Sequence, residues 1–307
     1  MNEKERLALK EEGFFAVRGS DRLSVRFSSG GGSFSADQLI EMGQLAREFG
    51  NGKLVISSRL SAEIVGIRKE DIGEIKKRAD QAGLERGLSG PRIRTVTSCM
   101  GTYCVKGTYD TLALAREINE RYTVGRVDDL LPNRFKICVG GCPNSCMKPS
   151  LNDFGIEGHI VPEYDENKCR GCKVCQIKRH CPSDAISFID GKVHVVSDKC
   201  RTCGICRNKC PFHVFQEDAR TKYQIYLGGT WGRNSRVADS YPRLVEREEI
   251  FPLLDRTLAW YKRNAAGHER FGMTLERLGF QTYLREVSPD DGGISCIFNM
   301  TRHRPTI

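Results

Sequence analysis

The sequence has no uninterrupted apolar run approaching the roughly 20 residues that cross a bilayer, so no membrane span is expected. Its first residues, Met1-Asn2-Glu3-Lys4-Glu5-Arg6, are charged and lack the apolar stretch and small-residue cleavage site of a secretory signal, which points to the cytoplasm. No G-x-G-x-x-G or flavin signature is present, so these residues are not expected to take electrons from a nicotinamide unaided. Without an export signal, the 14 cysteines argue against a disulfide framework and for soft-metal ligation. The net charge of +9 is modest for 307 residues. Nucleic-acid binding is a common reading of a basic excess, but thiolate-bound clusters are anionic, about −2 per cubane, and the excess is expected to offset such cofactors.

What is present divides into units. Residues 14 to 84 read as an α+β unit: a strand at Leu23–Phe27, a glycine-rich turn at Gly30-Gly31-Gly32, and a helix opened by the capping-box spacing of Ser35 and Gln38 and closed at Gly50. Extended pieces at Lys53 to Ser57 and Ile64 to Ile67 and a helix from about Asp71 to Gln81 complete it. A second unit starts after Gly90-Pro91 with an extended run from Arg92 to Thr97. A helix follows that carries Leu112, Leu114, Ala115 and Ile118, then a strand from Phe135 to Val139. Between about Val161 and Gln216 the composition shifts to dense cysteine, and α/β patterning resumes at Tyr223 to Leu227, with helices around Glu248 to Arg263 and Met273 to Leu278. The cysteine-rich stretch reads as an insertion.

Within it, Cys169-x2-Cys172-x2-Cys175-x5-Cys181-Pro182 is followed by Cys200-x2-Cys203-x2-Cys206-x3-Cys210-Pro211, a repeat of about 30 residues. Three thiolates at this spacing wrap three corners of a cubane. Tandem zinc sites are the alternative, disfavoured because two triple runs each ending in Cys-Pro are not the two-plus-two spacing of zinc ribbons. The segment resembles a bacterial two-[4Fe-4S] ferredoxin. By that resemblance one cluster takes Cys169, Cys172, Cys175 and Cys210, and the other Cys200, Cys203, Cys206 and Cys181. The first run departs from the compact pattern by its longer last gap, which holds the cationic loop Gln176-Ile177-Lys178-Arg179-His180.

Outside the insert lie Thr97-Ser98-Cys99-Met100-Gly101-Thr102-Tyr103-Cys104 and Gly141-Cys142-Pro143-Asn144-Ser145-Cys146. The Gly-Cys-Pro-Asn-x-Cys run, with a Thr-x-Cys-x-Gly segment upstream, resembles the siroheme-dependent nitrite and sulfite reductase family, nearest to the siroheme subunit of anaerobic sulfite reductase. The resemblance implies an α+β chain in three parts. These are a ferredoxin-like half-domain (1–88), a siroheme/[4Fe-4S] α/β domain (89–162 and 217–307) and an inserted bacterial-type ferredoxin domain (163–216). It implies siroheme and three [4Fe-4S] clusters, with Cys99, Cys104, Cys142 and Cys146 holding the third cluster and Cys146 shared with the siroheme iron. The spacing of Cys99 and Cys104 is one residue shorter than the family's, which leaves Cys138 as a fifth candidate thiol, read as a small buried hydrophobe. Cys296 is read as a free thiol.

By the same resemblance Arg59, Arg94, Arg134 and Lys136 bind the anionic substrate, and alternation on a strand puts Arg134 and Lys136 on one face. Leu60 stands where relatives often carry Gln. Asn144, Lys148, Gly228, Gly229, Thr230 and Arg233 are read as cofactor contacts. The implied reaction is six-electron reduction of sulfite to sulfide. Electrons are expected from a donor subunit or soluble ferredoxin, and a homo-oligomer is expected because only one copy of the paired architecture is present. A nitrite reductase on the same scaffold and a noncatalytic electron-transfer protein are the rivals. Lys136 favours sulfite, since nitrite-specialised relatives tend to have a neutral amide there.

Overall fold

The computed structural model describes residues 2–87, 89–124 and 129–288. Cys296 lies outside the described residues.

A helix, α1 (Glu3–Glu11), precedes β1 (Phe14–Ala16) and β2 (Leu23–Phe27). There follow α2 (Ala36–Glu48), β3 (Leu54–Ile56), β4 (Ala62–Ile67) and α3 (Ile72–Gln81). The four strands form one antiparallel sheet in the order β1-β2-β4-β3. Ser35 caps α2 and exchanges bonds with Gln38 in a full capping box, and Met42, Leu45 and Ala46 turn the helix's apolar face onto the sheet. Gly50 follows the Phe49 cap, but what requires glycine there is close approach to β4, since a Cβ would stand 2.7 Å from the Ile64 side chain.

The second sheet joins β5 (Thr97–Ser98), β6 (Ile137–Gly140), β7 (Phe154–His159), β10 (Lys222–Leu227) and β11 (Asp239–Ser240) in the order β11-β10-β7-β6-β5. β5, β6 and β7 run parallel, and β10 and β11 antiparallel. The extended run expected from Arg92 to Thr97 is a strand only at its end. Its earlier part is tied to the sheet by the Ile93–Phe135 bridge and the Arg94 N–H donated to the Phe135 carbonyl. β7 is buried at every position and carries Gly155 and Gly158, so it has neither alternation nor β-branched density to announce it.

Helix α4 (Thr111–Tyr122), capped by Asp110, covers one side. Helices α6 (Ile250–Asn264), α7 (Phe271–Leu278) and α8 (Phe280–Val287) close the domain, with Trp260, Phe271 and Tyr283 packed edge to face. Among the described residues no helix is long and apolar enough to cross a membrane.

Between β7 and β10 lie α5 (Gln176–His180) and the hairpin of β8 (Ile186–Ile189) and β9 (Lys192–Val195). This segment has its own small core around Ile177, Ile186, Val193, Val214 and Phe215, with the cysteines packed against it. Three buried apolar clusters therefore coexist, one for each sheet.

Candidate functional site

Parallel pairing of β5 and β6 brings like ends of the two strands together, Thr97 opposite Cys138 and Ser98 opposite Val139. Cys99 leaves β5 and, after Gly141, Cys142 leaves β6, so the two cysteine pairs start side by side. The Cys99 N–H donates to the Val139 carbonyl at 3.0 Å, and the Gly141 N–H donates to Cys99 Sγ at 3.1 Å. The approach needs glycine on both loops: a Cβ on Gly101 would stand 2.5 Å from Thr111, and one on Gly141 3.0 Å from Gly101.

Burial pushes the Cys142 thiol up, and Cys99, Cys146 and Cys104 push it further, so the four sulfurs share one electrostatic neighbourhood. Four thiolates so placed repel one another and need a cationic partner, which fits the iron of a cluster. Among the described residues no three His, Cys, Asp or Glu side chains close on a point as ligands of a single ion would. Cys104 and Cys146 are exposed. Cys138 is enclosed in the strand, its Sγ donates to the Met147 carbonyl at 3.4 Å, and burial raises its thiol to about 11.

The segment after Cys142 doubles back along β6. Met147 meets Cys138 in mid-strand, and Asn152 accepts from Arg59 at 3.2 Å near the strand's start. Cys146 thus lies on a path from the thiol end of the strands toward their beginnings. Lys148 holds a left-handed conformation on this path, with its ammonium 5.7 Å above the exposed Trp231 ring, and the Asn144 N–H stabilises the Cys142 thiolate.

Gly228 and Gly229 face protein. A Cβ on Gly229 would stand 2.4 Å from the Ser150 carbonyl oxygen, and one on Gly228 2.6 Å from Leu275. Their contribution is to let the end of β10 close on the 149–152 turn. Thr230 Oγ1 donates to the Asn234 carbonyl, and Arg233 is exposed on the loop that carries Trp231.

At the other end of the same strands, Arg59, Arg94, Arg134 and Lys136 line one open pocket of about 700 Å³, together with Ser57, Ser58, Ser61 and Arg26. Arg26 had no signal in the sequence. It enters because β2 runs beside β4, where Glu63 pairs with it at 2.6 Å. The crowding is visible in the charges. Burial, then Arg26, Arg59 and Arg134, bring Arg94 down to about 10. Burial, then Arg59 and Arg270, bring Lys136 down to about 8.

Arg59 is largely committed within the protein, donating to the Thr95 and Ile137 carbonyls and to Asn152, which leaves one guanidinium N–H for a ligand. It braces the pocket wall as much as it lines it. Below Lys136 the fully buried Asp153 accepts the Lys136 backbone N–H at 2.8 Å and both bonds of Arg270. Neither Asp153 nor Arg270 was singled out from the sequence, where each is one charge among many.

In the insert, Cys181, Cys200, Cys203 and Cys206 line one small cavity, and Cys169, Cys172, Cys175 and Cys210 line another. Each takes three cysteines from one run and the pre-proline cysteine from the other. Burial first, then neighbouring thiols, raise Cys206 to about 12, the same need for a cationic partner.

Comparison with known proteins gives the family. The profile of the nitrite and sulphite reductase 4Fe-4S domain matches residues 89–293, and that of the nitrite/sulfite reductase ferredoxin-like half domain matches residues 16–82. The chain is 32% identical over 260 residues to coenzyme F420-dependent sulfite reductase of Methanocaldococcus jannaschii, covering 84% of this chain and 40% of that protein's length. It is 25% identical to a subunit of the anaerobic sulfite reductase of Salmonella typhimurium, covering 88% and 84% of the two chains. The crystal structure of dissimilatory sulfite reductase I shares the fold, with a TM-score of 0.69 at 20% identity over 93% of this chain and 73% of that one. Members of the matched family carry siroheme and a [4Fe-4S] cluster, and the paired strand ends with their four thiols suit such a cluster. The chain belongs to the nitrite and sulphite reductase family.

Proposed function

We propose that this chain is a siroheme-bearing sulfite reductase unit that carries sulfite to sulfide, HSO3⁻ with six electrons and six protons giving HS⁻ and three waters. The observation that carries the reading is the convergence of Arg59, Arg94, Arg134 and Lys136 on one pocket at the start of strands whose far ends bear the thiols. When bound, siroheme and its cluster supply a ligand position for the anion and a store of electrons. Cys99, Cys104, Cys142 and Cys146 hold the cluster in this reading, with Cys146 shared.

The chain's own part is binding and protonation. Arg94 and Arg134 hold the anion and order water, since a guanidinium is a fixed fork of donors and a poor source of protons. Lys136 is the proton source: burial first, then Arg59 and Arg270, bring its ammonium down to about 8, close to working pH, where a general acid both carries and releases its proton. Asp153 accepts the backbone N–H of Lys136, one residue before β6, and Arg59 fixes the wall against the Thr95 and Ile137 carbonyls. The lysine's positive charge favours sulfite over nitrite. The insert holds two further clusters that relay electrons from a donor protein or subunit, and a second copy of the chain completes the working assembly.

Anaerobic reconstitution tests the reading directly. The protein should hold about twelve irons in cubanes and one in siroheme, at four thiolates per cubane, and reduced viologen should drive sulfite to sulfide. Zinc in the insert, or a nitrite rate far above the sulfite rate, would replace this reading with its rivals.

A further inference from the structure

The two cavities of the insert differ in what surrounds them. The one with Cys181, Cys200, Cys203 and Cys206 is closed on its inner side by Ile160 and Pro162, where β7 leaves the main sheet. The Ile160 N–H donates to the Thr202 carbonyl at 2.7 Å, and the Thr202 hydroxyl meets His159 Nδ1 at 2.5 Å. His159 Nε2 meets the Glu157 carboxylate at 3.2 Å within β7, whose neighbour β6 runs on to Cys142. This inner cavity is joined to the sheet by continuous buried contacts.

The cavity with Cys169, Cys172, Cys175 and Cys210 is lined by residues of the insert alone, and Cys172 is exposed. Large apolar side chains that line it stand in solvent: Val174 is 63% exposed, Phe212 41% and Phe188 39%. Arg170 and Lys209 line the same cavity, Lys178 stands over Phe188 and Lys173 lies between Cys172 and Val174 in the chain; all four are exposed, and none is ion-paired among the described residues. No carboxylate lines the cavity; the nearest acids in the chain are the exposed Asp165, whose N–H donates to the Val214 carbonyl, and Glu166, whose carbonyl accepts from the Cys169 N–H. Lys178 lies 5.8 Å above the Phe188 ring, so charge and apolar surface are interleaved.

An exposed apolar patch beside a cavity lined by cations and no carboxylate is the form of a docking surface, and a cationic lining selects an anionic partner. Resting on the reading that the insert holds two clusters, the geometry points to this outer face as the docking site for a small acidic one-electron carrier protein. Its electron arrives at the cluster of Cys169, Cys172, Cys175 and Cys210 and leaves through the inner cavity toward the sheet. Each transfer oxidises the carrier by one electron and reduces the outer cluster by one, and no bond forms or breaks.

The test uses the reconstituted full chain and a reduced acidic bacterial-type ferredoxin, mixed anaerobically in a stopped-flow instrument without sulfite, with cluster bleaching as the signal. The second-order rate constant should fall about tenfold or more between roughly 20 mM and 500 mM salt, as for steered association. Combined Lys173→Glu and Lys209→Glu should lower the low-salt rate about tenfold and converge with the parent at high salt. Lys53→Glu with Lys77→Glu, exposed on the N-terminal unit, should change it little. A salt-independent rate, or equal slowing by both pairs, overturns the docking site. Adding sulfite afterwards separates the two ideas. Clusters that fill with this charge dependence but are not reoxidised by sulfite sink the sulfite reading alone, whereas reoxidation with charge reversal silent sinks the docking site alone.

Discussion

The chain gathers its cysteines in two different ways. In the insert, each set of four encloses a cavity, and both cavities are built from two runs about 30 residues apart that wrap one small core. At the end of the main sheet, the four thiols come from two strands some 40 residues apart and sit on an open rim, with Cys104 and Cys146 exposed. The insert's sets line cavities, although Cys172 of the outer one is exposed, and suit a cofactor that exchanges only electrons. The open set leaves a sulfur available to a second group, and the segment that carries it runs back toward a pocket of cations.

The sharpest way to break this contrast is to remove one sulfur from each set. Cys146→Ser should abolish sulfite reduction and uncouple siroheme from its cluster while the insert keeps its iron. Cys210→Ser should lose about four irons and keep the siroheme spectrum, following four thiolates per cubane. Iron counts and absorption spectra of the two variants decide it, and loss of the siroheme bands in Cys210→Ser would mean that the sets are not independent.

The next effect lies at the cation end. Lys136→Arg should keep sulfite affinity but slow turnover by about 100- to 10,000-fold, the usual weight of a general acid, with partly reduced sulfur species accumulating. The sign of the pH dependence follows from the depressed lysine. Its ammonium is present below about 8 and is lost as pH rises through that value, so the parent kcat/KM should decline on the alkaline side. A bound anion raises the lysine again, so the kcat limb should lie higher. An arginine stays charged throughout, and persistence of the same limb in Lys136→Arg would assign it to another group.

Behind that pocket, Asp153→Ala leaves Arg270 without the carboxylate that takes two of its bonds. It should cost about 3–5 kcal/mol in chemical denaturation, as for a broken buried pair. A loss under about 1 kcal/mol would mean that water replaces the carboxylate. The smallest effect is expected of Cys138→Ser, about 1 kcal/mol of stability with the siroheme spectrum unchanged. A vanished spectrum would bring Cys138 into the ligand set.

Local chemistry made much of this legible. The Ser35–Gln38 box places α2, and β2 spans Leu23–Phe27 as its alternation suggests, because caps and periodicity act over a few residues. β7 and β1 left no such mark, since a strand buried on both faces or only three residues long has no periodicity to read. The glycines after β10 are only partly readable for a related reason. A glycine pair after a strand signals a turn or a close approach, but only the fold reveals that the surface approached is the protein's own 149–152 turn.

By itself the sequence determined which cysteines stand at cluster-like spacing and where its composition changes, because thiolate spacing and composition are properties of the chain. It also held the four basic residues that share the pocket. The tertiary structure alone decided that Arg26 joins them, that Arg59 spends most of its donors on backbone carbonyls, and that Asp153 and Arg270 lie beneath Lys136. Those relations depend on parallel pairing of β5, β6 and β7 and on the antiparallel contact of β2 with β4. Strand register sets such distances across dozens of residues, and no local pattern encodes them.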